Sequence, residues 1–159
     1  MAAKKQSQDK QALIGRLMVA MRRSSAAGVL HGQAVARKVG VNSSDLECLD
    51  LILLNGPSTA GDIARRTGLT SGAVTGLIDR LEKLGLVERI DDPNDRRKVL
   101  VRVREDKIAP IAALFTPLEK SMHALLAGYS REELNTLLDF SERASEYLLG
   151  RVAELNDGK

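Results

Sequence analysis

The sequence has few of the residues on which extracellular, membrane-bound and catalytic proteins depend. Its 159 residues include one cysteine, so no disulfide can form within the chain, and a reducing cytoplasm is the simplest setting. No apolar run approaches the roughly 20 residues that span a bilayer. The first residues are polar and lack the apolar centre of a signal peptide. We therefore expect a cytoplasmic protein without a membrane partner.

Aromatic residues are also scarce, at 3%, and tryptophan is absent. Because hydrophobic residues still make up 43% of the chain, the core must be built from aliphatic side chains. Leucine, alanine, valine and isoleucine recur at helical spacing, which indicates a mainly α fold.

Groups for acid–base or metal chemistry are few. The sequence has no nucleophile elbow, phosphate-binding loop or paired-carboxylate motif. His31, His123 and Cys48 do not have the spacing of metal ligands. Cys48 lies in an apolar stretch, where a buried, inert thiol is a better interpretation than a reactive one. We predict no enzymatic activity, no cofactor and no metal site.

Charge is unevenly distributed along the chain. Residues 1–104 hold 18 basic and 11 acidic side chains, whereas residues 105–159 hold 6 and 10. A basic front and an acidic back are typical of an oriented nucleic-acid binder. An ordinary surface with uneven charge is the alternative that charge alone leaves open.

Long helices are predicted at both ends. After a tail over residues 1–8 that we expect to be disordered, a helical pattern runs from about Asp9 to Val39, with a bend near its glycines. A further helix spans about residues 106–127, with Pro110 in its first turn and a kink or break near Pro117.

The last helix begins after Ser130, whose spacing to Glu133 is that of a capping box. These terminal helices carry more apolar surface than a small central domain can cover. We therefore infer a two-fold homodimer, with a monomeric bundle as the alternative.

The central region begins with a helix from Ser44 to Asn55. Ser44 and Glu47 have capping-box spacing, and Gly56-Pro57 ends the helix. Because the stretch from Leu51 to Leu54 is wholly apolar, we expect this helix to be buried.

A helix-turn-helix pattern follows. Thr59 and Asp62 form another capping box, opening a helix to about Arg66, and Gly68 lies in the turn. Thr70 is the expected N-cap of the next helix. One apolar stripe at helical spacing comprises Val74, Leu77, Ile78, Leu81 and Leu84. Gly85 is expected to end the helix in a left-handed conformation, with Leu86 folding back.

Two strand-like runs complete the unit. Leu86–Ile90 and Lys98–Val103 are predicted strands, and the residues between them favour a turn. In the second run, valines alternate with mainly basic residues, which gives one apolar and one basic face. A helix-turn-helix followed by such a hairpin, or wing, is typical of proteins that read duplex DNA.

The outward face of the second helix of this unit is the candidate for base readout. Small and hydroxyl side chains allow close approach to base edges in the major groove, and the helix N-terminus offers free N–H groups to a phosphate. A solvated helix face is the alternative. The candidate residues are Thr70, Ser71, Gly72, Thr75, Gly76 and Arg80.

The wing tip is the second candidate contact, comprising Asp95, Arg96, Arg97 and Lys98. An arginine on a hairpin can enter a narrow minor groove, and Asp95 could hold one arginine while the other reaches out. A solvated charged hairpin is the alternative. Candidates for phosphate contacts are Arg65, Arg66, Arg80, Arg89 and Arg102.

The chain resembles the MarR family of transcriptional regulators over roughly Ser44–Val103. The matching motifs are Asn55–Pro57, Leu69–Thr75, Asp79–Glu82, Gly85–Arg89 and Asp92–Arg97. The family's wing signature ends in Leu-Thr, where this chain has Val103-Arg104, a departure that affects only the cap of the following helix.

The resemblance implies a winged helix-turn-helix over residues 41–104, with dimerisation helices in residues 1–40 and 105–159. It also implies a homodimer on a pseudo-palindromic site in double-stranded DNA, often acting as a repressor. Many relatives release DNA on binding a small aromatic or lipophilic effector, and nothing in this sequence names the residues for one. The rival classes are an enzyme, a winged helix used for protein contacts, and a nonspecific architectural protein.

Overall fold

The computed structural model describes residues 2–157 of the chain, and the side chains of residues 6–155. The described elements, in order, are α1 (Ala2–Val39), α2 (Ser43–Asn55), β1 (Ser58–Thr59), α3 (Ala60–Thr67), α4 (Ser71–Lys83), β2 (Val87–Asp91), β3 (Val99–Val103), α5 (Glu105–Leu126) and α6 (Arg131–Asp157). This mainly helical order with a small sheet confirms the predicted fold class. The chain divides into two compact units, the second of which begins at Glu47.

Helix α1 is longer than the sequence pattern suggests. It begins at Ala2, so the disordered tail expected over residues 1–8 is wrong for residues 2–8, and Met1 lies outside the described residues. The opening residues are rich in alanine, lysine and glutamine, which are good helix formers, so the helix extends back through them. At the other end, Gly40 has a φ of 80° and its N–H donates to the Ala36 carbonyl at 2.9 Å, as expected for a stop.

Helix α2 begins one residue earlier than predicted. The Asn42 side-chain oxygen accepts the Asp45 N–H at 2.8 Å, so Asn42 caps the helix and the expected Ser44 capping box is wrong. Ile52 is buried, but Leu53 and Leu54 are 47% and 75% exposed. Consecutive residues of a helix point in different directions, so one packed face cannot bury the whole apolar run.

Local hydrogen bonds fix both ends of α3. The Thr59 hydroxyl accepts the Asp62 N–H at 3.1 Å, and the Thr59 N–H donates to the Asp62 carboxylate at 3.1 Å. These bonds confirm the predicted capping box, and the Thr59 hydrogen bonds lower the pKa of Asp62. Gly68 ends the helix with a φ of 70°, in the left-handed conformation that the turn requires.

Helix α4 supplies the centre of the second unit. Its N-cap is Thr70, as predicted, whose hydroxyl accepts the Ala73 N–H at 3.3 Å. Leu84, at the C-terminal end of the predicted stripe, is 53% exposed, so the stripe ends one turn earlier than expected. The helix packs against α3 and β2. The buried positions of the stripe are Val74, Leu77, Ile78 and Leu81.

The connection from α4 to β2 follows the predicted turn. Gly85 has a φ of 72°, and the Leu86 N–H donates to the Leu81 carbonyl at 2.9 Å. Both leucines are buried, so the chain folds back onto the helix that it has just left.

The sheet has three antiparallel strands in the order β1-β3-β2. Arg89 pairs with Val101, and Asp91 pairs with Val99 next to the wing loop. Strand β1 was not predicted, because two residues are too few to show an alternating pattern. Its Ser58 pairs with Val101, on the side of β3 that faces away from β2.

Helix α5 runs without a break through both of its prolines. It begins at Glu105, so Pro110 lies in the second turn rather than the first, and the break expected near Pro117 is wrong. A proline removes one backbone donor, whereas the neighbouring turns keep theirs, so one helix can persist across it. Helix α6 begins as predicted, because the Ser130 N–H donates to Glu133 at 2.8 Å and the Ser130 hydroxyl accepts the Glu133 N–H at 3.3 Å.

We predict that Thr59→Ala lowers the free energy of unfolding by about 1 kcal/mol, because it removes the side-chain cap of α3. Urea unfolding at a fixed protein concentration measures the change. Thr136→Ala is the matched control, since its hydroxyl only donates to the Glu132 carbonyl on an exposed surface of α6. A loss at Thr59 no larger than at Thr136 would contradict a stabilising role for the cap.

Candidate nucleic-acid interface

The outward face of α4 carries the residues predicted to read bases. Thr70, Ser71, Gly72, Thr75 and Arg80 are exposed, and Gly76 is half-buried. They lie opposite the buried stripe, so the packing that holds the helix leaves this face open. The Thr75 hydroxyl donates to the Ser71 carbonyl at 2.9 Å, which fixes its direction and leaves its lone pairs free to accept.

The two glycines of this face are not required by packing within the chain. A Cβ added at Gly72 would meet nothing within 4 Å, and one added at Gly76 would lie 3.7 Å from the Arg80 side chain. Neither glycine has a positive φ. Each therefore lowers helix stability by about 1 kcal/mol relative to alanine without a compensating contact within the described residues.

The wing loop between β2 and β3 is ordered by its own aspartates. The Asp92 carboxylate accepts the Asn94 N–H at 2.8 Å, and the Asp95 carboxylate accepts the Arg97 N–H at 3.1 Å. The loop closes where the Asp92 N–H donates to the Lys98 carbonyl at 3.1 Å. Side-chain turns of this kind set the loop without a hydrophobic core.

Asp95 also holds the side chains around it. Arg97 donates through Nε to the carboxylate at 3.3 Å, and Lys98 lies 3.8 Å away. The Arg97 backbone N–H, and then its side chain, lower the pKa of Asp95. Arg97 nevertheless stays 91% exposed. Arg96 is also exposed and has no hydrogen-bond or ion-pair partner among residues 2–157.

The remaining predicted arginines already contact residues of the chain. Arg65 pairs with Asp62, and the Arg66 guanidinium donates to the Ser58 hydroxyl at 3.2 Å. Arg102 pairs with Glu88 across the two strands at 2.6 Å. Exposed pairs of this kind are weak, so these guanidinium groups can exchange partners.

Arg89 differs from the other arginines because it contacts two carboxylates of α4. Its guanidinium lies 2.5 Å from Asp79 and also pairs with Glu82. Asp79 and Glu82 are three residues apart and so share a helix face. The sequence makes Arg89 a candidate for a phosphate contact, whereas the structure pairs it with both of these carboxylates.

A cleft of about 500 Å³ lies beside the sheet. Its lining comes from the end of α2 and the turn after it, from β2 and β3, and from the start of α5. It is lined by Ile52, Leu53, Gly56, Pro57, Glu88, Arg102, Val103, Arg104, Glu105 and Asp106. The volume suits a small molecule, and the charged walls suit one with polar groups.

Three further observations concern other kinds of site. Cys48 is fully buried, as expected. Within residues 2–157, no group of three or more histidine, cysteine or acidic side chains is placed to hold a metal ion. None of the described helices is long and apolar enough to cross a membrane.

A helix-turn-helix with an exposed second helix and an adjoining basic hairpin defines the class of winged helix-turn-helix proteins. A MarR family model matches residues 39–98. The chain is 41% identical over 120 residues to the uncharacterized HTH-type transcriptional regulator YcgE of Bacillus subtilis, covering 76% of this chain and 78% of that protein. The chain belongs to the MarR family of DNA-binding transcriptional regulators.

Solved structures agree at the level of the fold. A MarR family protein from Bacillus stearothermophilus superimposes with a TM-score of 0.65 at 20% identity, covering 87% of this chain and 96% of that one. A point mutant of MepR from a multidrug-resistant Staphylococcus aureus clinical isolate gives a TM-score of 0.70 at 18% identity, covering 83% of this chain and 96% of that one.

We predict that Gly72→Ala raises protein stability by up to about 1 kcal/mol and yet weakens DNA binding. The added methyl group has free space within the chain but occupies the surface that would approach the groove. Urea unfolding and titration of a bound duplex measure the two effects. Gly150→Ala in α6, where an added Cβ also meets nothing within 4 Å, should raise stability without changing affinity. If Gly72→Ala binds DNA as well as the native chain, close approach at this position is excluded.

Proposed function

We propose that this protein is a homodimeric, sequence-specific repressor that binds a pseudo-palindromic operator. The observation that carries the proposal is the open face of α4, with small side chains at the groove-facing positions and an ordered basic wing beside it. In this proposal residues 41–104 bind DNA, and residues 1–40 and 105–159 form the dimer. Each α4 enters a major groove, and the two grooves lie about one helical turn, or 10 bp, apart.

The proposed contacts divide into three groups. Thr70, Ser71, Gly72, Thr75, Gly76 and Arg80 read base edges or approach them, and Asp95, Arg96, Arg97 and Lys98 form the wing contact. Arg96 and Arg97 are the minor-groove candidates, because both side chains are exposed at the wing tip and Asp95 holds Arg97 within the loop. Arg65 and Arg66 contact phosphates, which sets affinity and salt dependence.

The exposed apolar side chains of the long helices support the dimer. Leu13, Leu17 and Leu30 of α1 are at least half exposed in the single chain, and so are Tyr147 and Leu148 of α6. Burying one leucine contributes roughly 1.5–3 kcal/mol, so covering many of them strongly favours association. A second copy of the chain presents the same faces, as a two-fold dimer requires.

The cleft beside the sheet supports release by a small-molecule effector. A ligand there would touch β3, which leads back to the wing, and the first turn of α5. A ligand that binds one arrangement of these elements more tightly would shift the protein toward that arrangement. The resulting change in DNA affinity can be no larger than the ratio of the ligand's affinities for the two arrangements. The charged walls favour an effector that combines an apolar or aromatic body with polar groups, rather than a purely lipophilic one.

The rival functions differ in what they need from the interface. An enzyme needs a reactive group aimed into a substrate pocket, whereas the hydroxyls, glycines and arginines of the candidate surface lie on an exposed helix face and an exposed hairpin loop. A winged helix for protein contacts does not need small residues on α4, and an architectural protein needs only phosphate contacts. The proposal of a regulator is therefore tested by sequence preference.

Selection of bound duplexes from a random DNA pool at physiological salt tests the proposal. The expected result is an inverted repeat whose half-sites are centred about 10 bp apart. A single half-site without symmetry would contradict the dimeric arrangement. Binding only at low salt, with no enriched motif, would contradict sequence-specific regulation.

We predict that replacing Arg96 and Arg97 together by alanine weakens operator binding about tenfold or more, because the wing loses both minor-groove candidates. Titration of the selected duplex measures affinity, and sedimentation measures the oligomeric state, which should not change. The control is Arg143→Ala/Arg151→Ala in α6, which removes the same charge outside the proposed DNA-binding region, from exposed pairs with Asp139 and Glu154. Because α6 belongs to the proposed dimer region, the control counts only if sedimentation shows the native oligomeric state. Equal affinities of the wing variant and the control would remove the wing from the interface.

A further inference from the structure

Arg89 of β2 forms hydrogen bonds to two residues of α4, the proposed recognition helix. The Arg89 guanidinium lies 2.5 Å from an Asp79 oxygen and pairs with Glu82 through its other terminal nitrogen. The Arg89 backbone N–H also donates to Glu82, at 3.3 Å. Asp79 and Glu82 are three residues apart, so both carboxylates project from one face of the helix toward the strand.

The charge of this cluster argues against a phosphate contact by Arg89. Two carboxylates face one guanidinium, which leaves the cluster with a net charge of −1 at neutral pH. The hydrogen bond to Asp79 is the main reason that the pKa of Arg89 is raised. A phosphate approaching this point would meet a guanidinium whose two terminal nitrogens each already donate to a carboxylate, and a carboxylate excess that repels it.

The cluster connects α4 to β2 close to the wing loop. Arg89 lies two residues before Asp91, the last residue of β2, beyond which the wing loop begins. Asp79 and Glu82 lie in the second half of α4, on either side of Arg80, the last candidate residue for base readout. The Gly85 turn holds α4 and β2 together at one end, and Arg89 holds them again further along the strand.

We propose that Arg89 is a positioning residue that sets the orientation of the recognition helix relative to the wing. The proposal rests on the DNA-binding function proposed above. Helix and wing enter different grooves of the same duplex, so each contact requires the other to be correctly placed. Through Asp79 and Glu82, Arg89 keeps the two elements in one geometry before DNA binds.

The salt dependence of DNA binding separates this role from a phosphate contact. A lost phosphate contact lowers the slope of log K against log salt concentration by about 0.9, whereas a positioning residue lowers affinity without removing a counterion. We expect Arg89→Gln to reduce affinity for the selected duplex about tenfold, within the range of coupling between contacting residues, with an unchanged slope. Arg65→Gln is the comparison, since it should reduce the slope.

Asp79→Asn gives opposite predictions for the two roles. If Arg89 contacts phosphate, removing the Asp79 charge frees the guanidinium and reduces repulsion, so affinity rises. If Arg89 positions the wing, affinity falls, and the double variant Asp79→Asn/Arg89→Gln binds no worse than the weaker single variant. Tighter binding by Asp79→Asn, or additive losses in the double variant, would overturn the positioning role.

Arg89→Lys is the variant to use if the glutamine variant unfolds. Lysine keeps the charge but has one nitrogen in place of the planar fork whose two terminal nitrogens bond Asp79 and Glu82. A positioning role predicts a loss of affinity close to that of Arg89→Gln, whereas a phosphate contact predicts affinity and slope near those of the native chain. Binding of the native chain to the selected duplex tests the proposed function separately, since all comparisons are made on that duplex.

Discussion

The burial of one apolar stripe on α4 is the constraint on which the rest of the DNA-binding unit depends. Val74, Leu77, Ile78 and Leu81 are almost wholly removed from solvent. Because the same stripe packs against α3 and β2, it fixes the rotation of α4 about its axis. The face that remains open is therefore set by the core. Thr75 and Gly72 lie on the outward face because the aliphatic side chains beside them point inward.

Short-range polar interactions then set the ends of each element. The Thr59 capping box starts α3, and the left-handed Gly68 allows the chain to turn before Thr70 starts α4. In the wing, no apolar core is needed to order the loop, because the Asp92 and Asp95 carboxylates each accept a hydrogen bond from the backbone N–H two residues further along. The recognition helix and the wing thus rely on different forces, burial in one case and side-chain turns in the other.

This division explains which features were predictable from the sequence. Caps and left-handed glycines depend on neighbours within a few residues, and those at Thr59, Gly68, Thr70 and Ser130 were predicted correctly. The cap of α2 is the exception, because Asn42 takes the place of the expected Ser44. Features that depend on distant partners were not predicted. Strand β1 forms by pairing with one edge of β3, and Leu54 is exposed although the three residues before it are apolar. For the candidate site, the outward face of α4 followed from periodicity, whereas the contact of Arg89 with Asp79 and Glu82 joins β2 to α4 and depends on how these two elements pack.

The wing loop has a thermodynamic consequence. Its aspartate turns close within the segment from Asp92 to Lys98, so the loop loses its conformational entropy when the chain folds rather than when DNA arrives. Association with a duplex then resembles the docking of two preformed surfaces. In the proposed complex, we therefore expect diffusion and orientation to limit the association rate, with electrostatic steering by the exposed arginines, rather than the folding of a loop in the groove.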